Sequence, residues 1–251
     1  MIKIGIFGHG ETGTSLERIY SEFERSRIFI KDLVRDDDLQ DLDVLDICIS
    51  YDKHSFVDVV SKQILESNPT LTIIHSTVFP GTTQEIIKRT NASVVHSPIR
   101  GVHPNLAAGI KTFVKYVGTD NDKDREDAVK HFEDFGIVSV GCSSSKVTEL
   151  GKILSTTYYG TVIAWHGEMK RFCDEVGVDF EETVTNFNET YNDGYTELGK
   201  TNVVRPILIP PNGKIGGHCI IQNAEILSEI CDSTALQLIL QYGGDLNDQG
   251  K

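Results

Sequence analysis

Lys3-Ile4-Gly5-Ile6-Phe7-Gly8-His9-Gly10-Glu11-Thr12-Gly13 is the stretch that decides the fold. The apolar run to Phe7 reads as a short buried strand, and Ser15-Leu16-Glu17-Arg18-Ile19-Tyr20 opens a helical pattern. Between them lies a G-x-G-x-x-G turn. Glycines there let the backbone approach a pyrophosphate, and the following helix N-terminus offers free N–H groups and the positive end of its dipole. The spacing alone is a weak signal, but the preceding strand and following helix turn it into an expectation of dinucleotide binding. Gly8, Gly10, Glu11, Thr12 and Gly13 are its candidate cofactor contacts.

Outward from this turn, the first 140 or so residues alternate in the βα manner. Strands are predicted at Ile2–Phe7, Arg27–Lys31, Val44–Ser50, Leu71–His75, Ser93–His96, Thr112–Gly118 and Ile137–Val140. Helices are predicted at Thr14–Glu24, His54–Ser67, Thr83–Thr90 and Asp122–Phe135. Several strands are apolar nearly throughout, as a parallel sheet covered on both faces requires. The expected class is α/β, a Rossmann-type doubly wound parallel sheet followed by a smaller, mostly α-helical domain. The boundaries are 1–142 for an NAD(P)-binding domain and 143–251 for a helical dimerisation and substrate domain.

After Cys142 the pattern changes. Val147, Leu150, Leu154, Tyr158, Val162, Trp165, Met169 and Phe172 recur at steps of three and four, predicting one helix over Lys146–Val176. Its length, about 45 Å, suits a span between domains or subunits. A second helix is predicted over Phe180–Tyr191, then an irregular stretch Asn192–His218 with three prolines and five glycines, then short helices at Asn223–Cys231 and Ser233–Tyr242 and a polar tail from Gly243.

A formal charge of −13 opposes binding to nucleic acid and to anionic membranes. Five scattered cysteines without CxxC spacing point to free thiols in a reducing, cytoplasmic setting. No apolar run approaches the roughly 18 residues of a membrane span. His75, His96, His103 and His218 with Cys219 include no short ligand pair, so no metal is assigned.

Ligands of such a sheet collect at the C-terminal strand ends, here Gly8–Gly13, Ser50–His54, Ser76–Thr77 and Ser97–Arg100. Asp32, nineteen residues after Gly13, can bond the adenosine ribose hydroxyls and repel a 2′-phosphate, which favours NAD. Lys31 and Arg35 can instead accept that phosphate, so NADP stays open. Ser50 and Ser76 are candidate cofactor contacts, while Thr82 and Thr83 can cap the next helix.

Four motifs carry a family resemblance. His75-Ser76-Thr77-Val78-Phe79-Pro80-Gly81-Thr82-Thr83 resembles the Ser-Thr-Val-x-Pro-Gly-Thr-Thr signature of the UDP-glucose/GDP-mannose dehydrogenases. Ser97-Pro98-Ile99-Arg100 is similar to that family's Ser-Pro-Glu-Arg, Glu149-Leu150-Gly151-Lys152 to the start of its central helix, and Gly216-Gly217-His218-Cys219 to its nucleophile loop. Order and spacing agree from Gly8 to Cys219, without a counterpart of the family's nucleotide-sugar-binding domain. The resemblance implies Cys219 as nucleophile, Lys152 as catalytic lysine and Thr77 as a hydroxyl holding water or substrate. It implies substrate contacts at Arg100, Thr156, Gly217 and His218, and at Arg205, where the family uses an arginine from a neighbouring subunit. The non-functional alternatives are a helix-surface lysine pairing with Glu149 for Lys152, and a small buried hydrophobe for Cys219.

The chain departs from the family at three positions. Ile99 replaces the glutamate, Thr156 replaces an asparagine, and Asn223 replaces the aspartate after the cysteine. Ile99 cannot transfer a proton and Asn223 cannot serve as a base. The expectation is therefore an NAD(P)-dependent oxidoreductase moving two electrons at an alcohol or carbonyl, with Lys152 assisting. This chemistry also fits the resemblance of a lysine-bearing helix after a Rossmann domain to the β-hydroxyacid dehydrogenases. The alternatives are a four-electron oxidation of a sugar alcohol through a Cys219 thioester, and a non-catalytic NAD-binding sensor or assembly subunit. The substrate would be a small molecule, a sugar or hydroxy acid derivative, and the assembly a homodimer.

Overall fold

The computed structural model describes residues 1–101, 104–216 and 218–243, the last stretch without the His218 side chain. Two compact units divide it, Met1–Lys152 and Ile153–Lys251.

The first unit is a seven-stranded sheet with helices on both faces. In chain order it runs β1 (Ile2–Phe7), α1 (Glu11–Tyr20), β2 (Ser26–Lys31), β3 (Val44–Ile47), α2 (Phe56–Ser67), β4 (Leu71–Ile74), α3 (Thr82–Thr90), β5 (Val94–His96), α4 (Leu106–Thr112), β6 (Lys115–Gly118), α5 (Asp122–Asp134) and β7 (Ser139–Cys142). The strand order is β2-β1-β3-β4-β5-β6-β7. Side chains alternate across the strands, so neighbours enter opposite cores. Val44, Ile73 and Val95 join Leu16, Ile19, Tyr20, Phe132 and Phe135 on one face. Leu45, Ile74 and Val94 join Phe56, Val60, Ile64 and Ile86 on the other. Each such fully buried side chain contributes about 1.5–3 kcal/mol.

Three expectations are corrected. The sheet is not wholly parallel, because β6 meets β5 antiparallel, with His96 opposite Gly118. The chain turns back through α4, whose seven residues are too short to return it to the starting end of β5. The predicted strand Thr112–Gly118 thus begins only at Lys115, and α4 was not foreseen. Gly109 masks that helix in the sequence, yet a Cβ there would lie 2.6 Å from the Gly101 Cα, so close packing requires the glycine. Finally, α1 starts at Glu11, directly after the glycine turn, and ends at Tyr20.

The chain then enters α6 (Ser145–Val176), a single helix of 32 residues and about 48 Å. The division between the two units falls inside it. In the second unit follow a π-helical turn (Glu181–Thr185), α7 (Asn186–Glu197), a 3₁₀ turn (Thr201–Val203), α8 (His218–Ser228) and α9 (Thr234–Gln241). Helix α7 therefore continues beyond the expected end at Tyr191. The stretch around Cys219 is not a loop, since α8 starts at His218. Asn223, Ala224 and Leu227 form its buried face. Tyr242 anchors α9, donating from its hydroxyl to Glu168 Oε1 at 2.9 Å. A Cβ at Gly167 would sit 2.5 Å from the Tyr242 ring, so the glycine makes room for that anchor.

Among the described residues no helix is long and apolar enough to cross a membrane. All five cysteines are free. The expected frayed tail from Gly243 lies almost wholly outside the described residues.

Candidate active site

The order β2-β1-β3 reverses direction at β1, the switch point at which sheets of this kind take ligands in the crevice outside their carboxyl ends. Gly8 leaves β1 with φ +97, and its N–H donates to the Lys31 carbonyl at 2.9 Å. A Cβ there would strike the Cys48 backbone at 2.7 Å, and one at Gly13 would lie 2.1 Å from the Gly8 oxygen. These glycines press α1 against the sheet. Gly10 instead faces open space and precedes α1 with no side-chain cap. An uncovered glycine at an uncapped helix N-terminus is a cradle that fits a pyrophosphate. Glu11 is the exposed first residue of α1 and Thr12, half-buried, follows it.

Asp32 lies just beyond β2. Its carboxylate accepts from the backbone N–H groups of His9 at 2.5 Å and Leu33 at 2.6 Å. Those bonds hold it below the usual carboxylate range, so it stays ionised. The neighbouring cations are engaged. Arg35 pairs with Asp37 at 2.7 Å and Glu17 at 3.6 Å, and Lys31 with Asp36 at 3.9 Å. Glu17 also holds His9 Nε2 at 2.7 Å.

Across the crevice, Ser50 is exposed after β3. Ser76, after β4, donates its hydroxyl to the Ile49 carbonyl at 2.5 Å, which leaves its oxygen lone pairs as acceptors. Thr77 follows, half-buried. Lys152 is half-buried on α6, and its charge is felt at both His96 and Lys115. Glu149, three residues earlier, does not lie on the surface. It is fully buried, and its carboxylate accepts from the N–H groups of Gly81 at 2.6 Å and Thr83 at 2.9 Å. Burial pushes this carboxyl up, against the hydrogen bonds from Thr83 and Gly81 that pull it down. Neither threonine hydroxyl caps α3 as expected: Gly81 holds the N-cap position, Thr83 gives its N–H to Glu149, and the Thr82 hydroxyl donates to Phe79 O at 2.6 Å.

Arg100 is turned to β6. It donates to the Val114 carbonyl at 3.3 Å, and its guanidinium lies over the Phe113 and Tyr116 rings at 5.5 and 5.4 Å. Ile99, at the position of the family glutamate, is part of the apolar core.

A buried polar chain lies under this end of the sheet and was not foreseen. Asp46 and His75 are fully enclosed, with His75 Nε2 2.8 Å from Asp46 Oδ1. Lys115 Nζ reaches His75 Nδ1 at 3.1 Å and donates to the Ser97 carbonyl at 2.7 Å. Burial lowers the Lys115 ammonium to about 7, although Asp46 pulls it up. Burial, reinforced by the Lys115 charge, also lowers His75 and keeps the ring neutral. The signal was present in the sequence, since Asp46 and Lys115 interrupt strands that are otherwise apolar or neutral.

In the second unit, Thr156 is half-buried on α6 and Cys219 is exposed in the first turn of α8. Cys219 is therefore not a buried hydrophobe. Arg205 is held twice: the Asn192 side chain bonds its backbone N–H and carbonyl at 2.8 and 2.9 Å. Its guanidinium lies 4.1 Å from the Tyr191 ring centroid. Gly217 and the His218 side chain lie outside the described residues, as does His103. Among the described residues no group of His, Cys, Asp or Glu is arranged to hold a metal.

No protein-family model matches the chain. A UDP-N-acetyl-D-mannosamine dehydrogenase of Methanocaldococcus jannaschii is 28% identical over 157 residues, 61% of this chain and 34% of the relative. That of Methanococcus maripaludis is 26% identical over 168 residues, 66% and 36% respectively. The chain thus matches about a third of the length of these curated relatives. Among solved structures, a UDP-D-ManNAc dehydrogenase from Pyrococcus horikoshii superposes with a TM-score of 0.76 at 17% identity, covering 96% of this chain and 68% of that one. The Mycobacterium tuberculosis 3-hydroxyisobutyrate dehydrogenase, solved with L-serine, gives 0.70 at 13% identity, covering 95% and 91%. The structural likenesses establish the Rossmann-type fold, and the sequence matches show that the chain is similar over about 60% of its length to curated nucleotide-sugar dehydrogenases.

Proposed function

We propose that the chain is an NAD-dependent oxidoreductase that moves a hydride at an alcohol or carbonyl carbon. The observation that carries this reading is the position of Lys152. It sits one helical turn after Glu149, whose carboxylate holds the segment bearing Ser76 and Thr77. When bound, NAD supplies the hydride acceptor. The glycine turn and the α1 N-terminus hold its pyrophosphate, and Asp32 takes the ribose hydroxyls. With Arg35 and Lys31 already paired and Asp32 ionised, a 2′-phosphate is disfavoured. As the carbinol carbon gives up hydrogen with both electrons, its hydroxyl proton would pass to Lys152, which serves as base in its free-amine form. In the reverse direction the Lys152 ammonium returns a proton to the carbonyl oxygen.

The four-electron route through Cys219 is less well supported. It requires a carboxylate to activate water, and Ile99 fills the family glutamate's position from within the core. The substrate is a small sugar or hydroxy acid derivative. The working unit is a homodimer, since Leu154, Tyr158, Trp165 and Phe172 on α6 are all exposed in the single chain. Light scattering showing only monomer counts against that assembly.

The deciding experiment follows nicotinamide absorbance with UDP-N-acetyl-D-mannosamine, 3-hydroxyisobutyrate and L-serine. Lys152→Ala loses turnover about 100-fold or more while still binding NADH, and Cys219→Ser keeps it. The opposite pattern selects the thioester route. Binding without turnover across the panel selects the sensor.

A further inference from the structure

The segment from Ser76 to Thr83 runs from the end of β4 into α3, and consecutive residues of α6 grip it at two points. The first grip passes through His96. Burial lowers this ring to about 3, so it is neutral. The Ser76 carbonyl, 3.1 Å from Nε2, can only accept, so Nε2 carries the hydrogen. The bare Nδ1 then faces the Thr148 hydroxyl at 2.8 Å, whose hydrogen it shares with the Ser145 carbonyl at 2.9 Å and the His96 carbonyl at 3.3 Å. Gly118 permits the approach, since a Cβ there would meet Thr148 Oγ1 at 2.3 Å. The second grip is Glu149, bonded to the N–H groups of Gly81 and Thr83.

Helix α3 has no side-chain cap of its own, because Gly81, at φ +102, occupies the N-cap position. A local Ser or Asp is the usual way to cap a helix. Here a fully buried carboxylate from another helix does so, despite the cost of desolvating a charge. Capping alone does not call for that arrangement, nor for a neighbouring residue that reaches the other end of the same segment. We infer that Thr148 and Glu149 are positioning residues, a two-point clamp that keeps Ser76–Thr83 in the shape that receives the nicotinamide half of a bound dinucleotide. The inference rests on the dehydrogenase reading above.

The test compares two probes on the full chain by calorimetry: NADH, and ADP-ribose, which lacks the nicotinamide. Glu149→Ala weakens NADH tenfold or more and leaves ADP-ribose within twofold. In the same variant the Gly81 and Thr83 amides lose hydrogen-exchange protection. Glu149→Gln keeps one acceptor oxygen and recovers part of both effects. Thr148→Val, nearly isosteric, weakens NADH threefold or more with ADP-ribose unchanged, and decides the matter if Glu149→Ala does not fold. Equal weakening of both probes, or NADH affinity unchanged after the amides lose protection, overturns the clamp alone. A wild-type chain that binds neither probe overturns the dehydrogenase reading as well.

Discussion

Replacing the buried charges of the first unit with neutral groups will flatten the pH dependence of its stability. The perturbation is the double variant Asp46→Asn/Lys115→Met, which empties the Lys115–His75–Asp46 chain of formal charge. Lys115 is about 7 in the fold against 10.5 in the unfolded chain. Between those values the unfolded chain holds a proton that the folded chain lacks, so stability rises with pH, at up to about 1.4 kcal/mol per unit. From pH 7, where the folded amine is half-titrated, to pH 9 the gain integrates to about 2 kcal/mol. At a urea m of about 2–3 kcal/mol/M this moves the midpoint by about 0.7–1 M. Urea unfolding followed by circular dichroism at pH 7, 8 and 9 measures it. Trp165, the only tryptophan, reports separately on the other unit. The wild type should gain that stability relative to the double variant. Curves that stay parallel within about 0.5 kcal/mol would refute the reasoning, because Lys115 would then titrate as an ordinary exposed amine. The single variant Lys115→Met removes the buried amine's bonds to His75 Nδ1 and the Ser97 carbonyl and should cost about 1–3 kcal/mol.

Other outcomes follow from the geometry. Gly13→Ala forces a Cβ to within 2.1 Å of the Gly8 oxygen, so α1 must shift; calorimetry should show NADH affinity falling at least tenfold and thermal unfolding a loss of about 1–3 kcal/mol. Asp32→Asn removes the charge that opposes a 2′-phosphate, and fluorescence titration should show the NADPH-to-NADH affinity ratio rising about tenfold. Gly167→Ala drives a Cβ into the Tyr242 ring and breaks its bond to Glu168. Trp165 fluorescence should then report an earlier unfolding of the second unit while NADH binding is kept.

The glycine turn between β1 and α1 was legible in the sequence because its determinants are local. A strand, a glycine turn and a helix start within a few residues of one another, and Gly8 and Gly13 each have a steric reason in the backbone packed against them, while Gly10 faces open space. The long helix α6 was equally legible, since its three-and-four periodicity is uninterrupted. Helix α4 was hidden by Gly109, whose value lies in a contact with Gly101. The antiparallel seam at β6 was hidden because strand direction depends on how a connection returns, which no periodicity encodes.

The sequence by itself determined the βα alternation, the acid after β2, and the family motifs that name Thr77, Lys152 and Cys219. Only the tertiary structure decided what the buried charges do. Glu149 lies 68 residues from Gly81, and His75 lies 29 from Asp46 and 40 from Lys115. Each reads as an ordinary surface or strand residue until folding removes its water. A charge or ring then needs a partner within hydrogen-bond reach, and that partner is supplied by a different element of the sheet.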